Sequence, residues 1–340
     1  MSELKVNSIK GTGASTAAIT IDSSAGTCSA NLTNNLSNRN LLINGAHIIW
    51  QRATSIAGGS DLDNFQRATD RFWLYSPSST SGTVGQSTDV PSGFLYSTHN
   101  NLDAECIIGT NVELLKVGSD APFVNGESLT LSFYIKSTSA RSGVAIDIST
   151  RDNSGGTGSV TRATSPTFDS TTSWTRVEKT FTLTGTVGSS NACLQFQITL
   201  AVGDKVTGFQ LEKNSFATDF EFRSFGEELL KCQRYCYADR GSEDYHSVAQ
   251  GHFNGTGTAI AMLYTPVCMR AAPTLSYPVG TWIFSGDFGT APQSNIYPTD
   301  NIGGVNAFQI RGTVSSGQSG EGFLLRTSSA GHTWILDAEL

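Results

Sequence analysis

Leu129, Leu131, Phe133 and Ile135 alternate with Thr130, Ser132, Tyr134 and Lys136. A period of two places the first set on the inner face of a pleated strand and the second on the outer face. Comparable patterns predict strands over 41–43, 46–50, 71–75, 105–112, 128–137, 144–150, 175–183, 193–200 and 205–212. Turn-forming runs such as Asn153-Ser154-Gly155-Gly156 separate them. No fixed repeat period links these strands, so 40–223 reads as a jelly-roll β-sandwich and not a solenoid.

The period changes at Ser224. Phe225, Leu229, Cys232 and Cys236 fall at i, i+4, i+7 and i+11, which predicts one helix over 224–238 with an apolar stripe. Ser224 and Glu227 form a capping box, with acids in the first turn and Lys231 and Arg234 toward the end. This helix is expected to act as a rigid connector. Strand patterns then return at 247–253, 258–264, 274–277, 282–284, 305–312, 322–327 and 332–339, predicting a second, C-terminal β-sandwich over 239–340. Asn254-Gly255-Thr256-Gly257 is a hairpin candidate, and 286–304 reads as one long loop. The fold class is therefore all-β: a jelly roll, a connector helix and a second sandwich.

Residues 1–39 stand apart. Leu4, Val6, Ala17, Ile19 and Ile21 give two short alternating patterns in a Ser/Thr/Gly/Asn background. There is too little apolar surface for an independent core, so this segment is expected to order against its own copies or another protein.

Composition supports sheets. Of 340 residues, 15% are charged, against about 25% in ordinary domains, while 18 Phe, 9 Tyr and 5 Trp supply core material. The 35 Gly supply turn positions with positive φ. The net charge of −7 and the absence of a basic run disfavour nucleic acid. No stretch approaches the ~20 apolar residues of a membrane span, and the N-terminus lacks the layout of a secretory signal. Cys28, Cys106, Cys193, Cys232, Cys236 and Cys268 form no CxxC pair, so zinc is not expected, and buried reduced thiols are the simpler role.

No hydrolase, metalloprotease or phosphate-loop motif occurs. His47, His99, His246, His252 and His332 are scattered; His47, inside an apolar run, reads as a core or interface residue. The acidic pairs Asp61/Asp63 and Glu243/Asp244 read as surface charge; a glycosidase would need two carboxylates facing across a cleft. Asp61-Leu62-Asp63-Asn64 offers oxygen ligands for a structural Ca²⁺, although no metal or other cofactor is expected. The expectation is a protein without catalytic residues.

Several strings, taken in order, resemble a family of phage virion proteins of marine and cyanobacterial phages. They are Asn40-Leu41-Leu42-Ile43-Asn44-Gly45, Trp50-Gln51-Arg52, Asp70-Arg71-Phe72-Trp73 and the 129–137 strand. Gly208-Phe209-Gln210-Leu211-Glu212, the run 217–223 and the run 227–235 continue the series, as do Pro266 to Thr274 and the closing Asp337-Ala338-Glu339-Leu340. The opening Ser2-Glu3-Leu4-Lys5-Val6-Asn7-Ser8-Ile9 resembles the virion-attachment start of cyanophage fibres. The resemblance implies a central domain similar to the jelly roll of carbohydrate-binding modules. It also implies a structural role in a tail fibre or head-associated appendage, usually as a homotrimer.

The expected function is thus a homotrimeric tail fibre, located in the virion, that adheres to host-surface glycan and docks on other virion proteins through its N-terminal segment. A head decoration or tail connector without ligand, or a polysaccharide-degrading enzyme, are the alternatives. Sugar contact is expected near the long loop, at Trp282, Phe288 and Tyr297, for which packing is the simpler role. Packing is likewise the simpler role of Trp50, Phe72, Trp73, Phe133 and Phe209.

Overall fold

A computed structural model describes residues 8–9, 19–22, 27–30, 38–59, 62–63, 65–113, 126–152, 165–183, 191–241, 243–255, 257–276, 282–286, 289–292, 296–299, 306–313, 319–327 and 332–339. Near the N-terminus, β1 (Ser8–Ile9), β2 (Ile19–Asp22) and β3 (Thr27–Ala30) form a small antiparallel sheet.

Among the described residues, eleven strands build the first sandwich. They are β4 (Ser55–Ala57), β5 (Phe72–Tyr75), β6 (Gly82–Ser87), β7 (Ser97–Leu102), β8 (Cys106–Glu113) and β9 (Ser128–Lys136), followed by β10 (Arg141–Asp152), β11 (Thr167–Ser170), β12 (Thr175–Thr182), β13 (Asn191–Leu200) and β14 (Lys205–Glu212). One sheet has the order β11-β10-β13-β8-β5 and the other β12-β9-β14-β7-β6-β4. Between them lies a core in which Leu131, Phe133 and Ile135 of β9 join Ile108, Ile146, Ile148, Phe196 and Phe209, all buried. Phe133 stacks on Phe209 at 5.2 Å and meets Phe168 edge-on at 5.2 Å. These contacts confirm the inward face read from the alternation.

The expected strands at 41–43 and 46–50 are instead a loop folded around one side chain. The buried Asn44 amide donates to Ile49 O (2.9 Å), Thr69 Oγ1 (3.0 Å) and Asp70 O (2.9 Å). Its Oδ1 accepts from the backbone N–H groups of Ile48 (2.9 Å) and Ile49 (3.0 Å). An Asn that satisfies the backbone locally displaces the ladder a strand would need. Asn44 and His47 both have positive φ, at 60° and 53°. Gly45 leaves no room for a Cβ beside Phe209 O.

The helix is shorter than 224–238. It spans Phe225–Gln233 (α1), with Ser224 Oγ accepting from Glu227 N at 3.3 Å as the cap requires. Cys236 already begins β15 (Cys236–Gly241). The predicted stripe is also rotated: Phe225 is 60% exposed, and the buried face is Glu228, Cys232 and Gln233. Glu228 lies inside because Arg223 pairs with it and Asn44 N donates to it.

The C-terminal module packs two sheets over a second core containing Phe253, Leu263, Met269, Phe308, Ile310, Leu325, Trp334 and Leu336. Its further strands are β16 (Ser247–Phe253), β17 (Thr258–Tyr264), β18 (Thr274–Ser276), β19 (Trp282–Gly286), β20 (Gly289–Pro292), β21 (Ile296–Thr299), β22 (Ala307–Thr313), β23 (Gly322–Thr327) and β24 (His332–Asp337). The sheets run β15-β24-β18 and β20-β19-β23-β16-β17-β22-β21. β16 and β17 form the expected hairpin, with Asn254 N donating to Thr258 O at 2.8 Å and Gly255 at φ 82°. The span 286–304 is not one loop, since β20 and β21 lie within it.

Candidate functional site

Strand register gives the outer face of the five-stranded sheet an ordered chemistry. Trp73 of β5 pairs with Gly109 of β8, Gly109 with Gln197 of β13, and Gln197 with Asp147 of β10. The next rung is Asn111, Gln195 and Ser149. Neighbouring core residues Leu74, Ile108, Phe196, Ile146 and Ile148 point the other way, so alternation alone brings these polar side chains to one face. Gln197 Nε2 donates to Asp147 Oδ2 (3.2 Å), and Ser149 Oγ donates to Gln195 Oε1 (3.4 Å).

An aromatic group borders the amides at the β5 edge. Phe65 stands edge-on to Trp73 at 5.2 Å and stacks on Tyr75 at 4.9 Å. Phe65 holds φ 44° and is 43% exposed, while Trp73 is buried. Trp73 lies directly over Gly109, where any Cβ would overlap Cζ2 of the indole. The indole Nε1 has no hydrogen-bond partner among the described residues. An apolar ring surface beside paired amide and carboxylate groups fits a ligand with flat C–H patches and rings of hydroxyls.

The sites expected from sequence fall elsewhere. Trp282 lies on β19, paired in register with Thr327, and Tyr297 lies on β21, paired with Arg311. Four strands separate β19 from β21 in the sheet order, so the strand order does not bring the two together. Phe288 is outside the described residues. Of the possible Ca²⁺ loop, Leu62 is a core residue and Asp63 is exposed, with Asp61 and Asn64 outside the described residues. No group of three or more potential metal ligands occurs among the described residues. Likewise, no described helix is long and apolar enough to cross a membrane.

His47 is fully buried between Phe72 (4.5 Å) and Phe209 (5.5 Å), with Nδ1 2.9 Å from Thr98 Oγ1. Burial pushes its pKa down to about 3, which fits the core role read from sequence. Gln195, Gln197, Asp147 and Ser149 escaped the sequence reading. Their signal was present as polar residues at spacing two inside 144–150 and 193–200, but pairing of those two strands is not visible in a linear pattern.

Sandwich and face together define a jelly-roll module with a polar, aromatic-edged sheet. Residues 63–204 match a carbohydrate binding domain family, and this span contains Phe65, Trp73, Tyr75 and both polar rungs. No curated protein matches the chain. Among solved structures, the CBM22-1 xylan-binding domain of Paenibacillus barcinonensis Xyn10C is 12% identical, covering 52% of this chain and 96% of that one, with TM-score 0.31. A structure described as "CBM4 structure and function" is 12% identical, covering 50% and 97%, with TM-score 0.33. The enzymatically active domain of bacteriophage CBA120 tailspike protein 4 is 13% identical over 51% of this chain and 21% of that one, with TM-score 0.29.

Proposed function

We propose that the first sandwich binds glycan chains across the outer face of its five-stranded sheet, without cleaving them, as part of a phage fibre that adheres to its host. The observation that carries the binding reading is the coincidence of the carbohydrate binding domain match with the strands bearing the Trp73-Gly109-Gln197-Asp147 rung. Phe65 and Tyr75 supply ring surface, and Gln197, Asp147 and Ser149 supply donors and acceptors, with the buried Gln195 holding Ser149 in place. The virion setting and the homotrimer rest on the resemblance of the ordered strings from Asn40 to Leu340, and docking through residues 1–39 on that of the opening Ser2 to Ile9.

Affinity electrophoresis of the full chain in gels containing host envelope polysaccharide tests the binding reading. Retardation is expected, and F65A and Q197A are each expected to weaken it about tenfold, which is ~1.4 kcal/mol. Unchanged retardation in both folded variants would remove this face as the site. Release of reducing sugar by the wild-type chain would overturn the non-catalytic part. Light scattering that returned a monomer would count against the trimeric fibre.

A further inference from the structure

The outer face of the seven-stranded sheet carries a second feature, outside the span matching the carbohydrate binding domain. An open trough of about 870 Å³ runs across β23, β16, β17 and β22. Register builds it from two adjacent rungs. The first runs Leu324, Gln250, Met262, Gln309. The second runs Gly322, His252, Ile260, with Arg311 next in register just beyond the lining. Each rung thus sets an apolar floor residue of β17 between hydrogen-bonding side chains. Among the described residues, a Cβ at Gly322 would meet only Gly251 O, at 3.8 Å, so they leave that end of the floor open.

The charge of the trough runs against the chain as a whole. The protein carries −7, yet among the described residues the lining contains Arg326 and no Asp or Glu. Arg311 Nε donates to Gln309 Oε1 at 3.0 Å, which fixes the amide and places a second guanidinium on the neighbouring rung. Arg326 Nε is buried and has no hydrogen-bond partner among the described residues. Arg326 lines the trough, and a carboxylate bound there would meet a guanidinium whose desolvated Nε already lacks a counter-group. Tyr264, 63% exposed, adds one ring at the rim.

From these observations we infer that this trough is a second, independent site that takes an extended anionic glycan bearing carboxylates. An apolar floor suits pyranose faces, amides suit hydroxyl pairs, and the guanidinium groups suit the acid. A folded acidic protein or a nucleic acid shares the charge but not the need for an apolar floor one residue wide between amides.

Affinity electrophoresis of the full chain with polygalacturonate, against dextran, poly(dT) and polyglutamate, tests this. Polygalacturonate is expected to retard the wild-type chain, with dextran, poly(dT) and polyglutamate at least tenfold weaker. R326Q is expected to lower retention at least tenfold. Q250E, which replaces one amide by a carboxylate on a half-open face, is expected to do the same at unchanged melting temperature. F65A, in the first sandwich, should leave polygalacturonate retention intact, which separates this site from the proposed glycan face. Equal retention in R326Q and Q250E, or poly(dT) or polyglutamate binding as tightly as polygalacturonate, would overturn the inference. So would light scattering showing a self-associated chain that M262R returns to monomer, since the trough would then be an interface between copies.

Discussion

Arg52 in the first sandwich and Asp337 at the end of β24 are ion-paired at 3.0 Å, although 285 residues separate them. The other terminal nitrogen of Arg52 donates to Asp70 at 3.0 Å. Glu339 lies beside them, in contact with Arg52 (3.6 Å), Arg67 (3.9 Å) and Arg71. Three arginines and three acids therefore join the two modules, and Arg71 also lies 3.5 Å over the ring of Tyr235. Glu339 is buried, which alone would raise its pKa, but Arg71, Arg67 and Arg52 overcome burial and hold the carboxyl below its ordinary value.

E339Q should therefore be strongly destabilising, because it leaves buried guanidinium groups without their counter-charge. A loss of about 3–5 kcal/mol is expected in urea unfolding. K231A, which removes an exposed pair to Glu227 at 3.9 Å, should change stability by less than about 0.5 kcal/mol. Similar small effects from both changes would show that the modules are not joined through this cluster.

The buried His47 makes stability depend on pH. Its folded pKa of about 3 lies below its ordinary value of 6.5, so between these values the unfolded chain binds more protons. Stability from this group is full above pH 6.5 and is lost as pH falls toward 3, with a slope of up to about 1.4 kcal/mol per pH unit. H47F should lack that slope, so the difference between the two stability curves, measured by thermal melts from pH 7 to 4, should carry it. Parallel curves for the two proteins would mean that the imidazole is protonated in the fold.

Gly109 has a defined steric role. G109A should push Trp73 off the sheet, costing about 1–3 kcal/mol as overpacked sites do. Glycan retention should fall with it, because Trp73 supports Phe65. G257A is the control, as no atom of the described residues lies within 4 Å of its Cβ position. Unaltered tryptophan fluorescence and binding in G109A would contradict the stacking.

Asn44 satisfies five polar groups of a buried loop. N44A should cost at least about 3 kcal/mol, since each buried group left unpaired costs ~1–3 kcal/mol. N44D should also destabilise, because a carboxylate cannot donate to Ile49 O, Thr69 Oγ1 and Asp70 O. Denaturant midpoints within 0.2 M of wild type (about 0.5 kcal/mol or less at ordinary urea slopes) would contradict this role.

Where strands alternate cleanly the sequence was legible. The inward set Leu129, Leu131, Phe133 and Ile135, the full span of β14, and the β16–β17 hairpin all follow from local pattern and turn chemistry. Failures came where tertiary contacts override the pattern. Residues 41–50 look like strands because they are apolar, yet Asn44 turns them into a loop. The helix keeps its Ser224 cap but buries Glu228 in place of Phe225, since Arg223 neutralises the acid. The polar face on β10 and β13 needed strand order, which no single segment encodes.

The ionic junction also sets a timetable for synthesis. Glu339 emerges 127 residues after Glu212, which ends β14 and completes the first sandwich. At about 5–20 residues per second, that is a delay of roughly 6–25 s. Throughout it the nascent first sandwich holds Arg52, Arg67 and Arg71 with neither Asp337 nor Glu339 to face them, a vacancy that a chaperone, or the wrong copy's tail, can reach first.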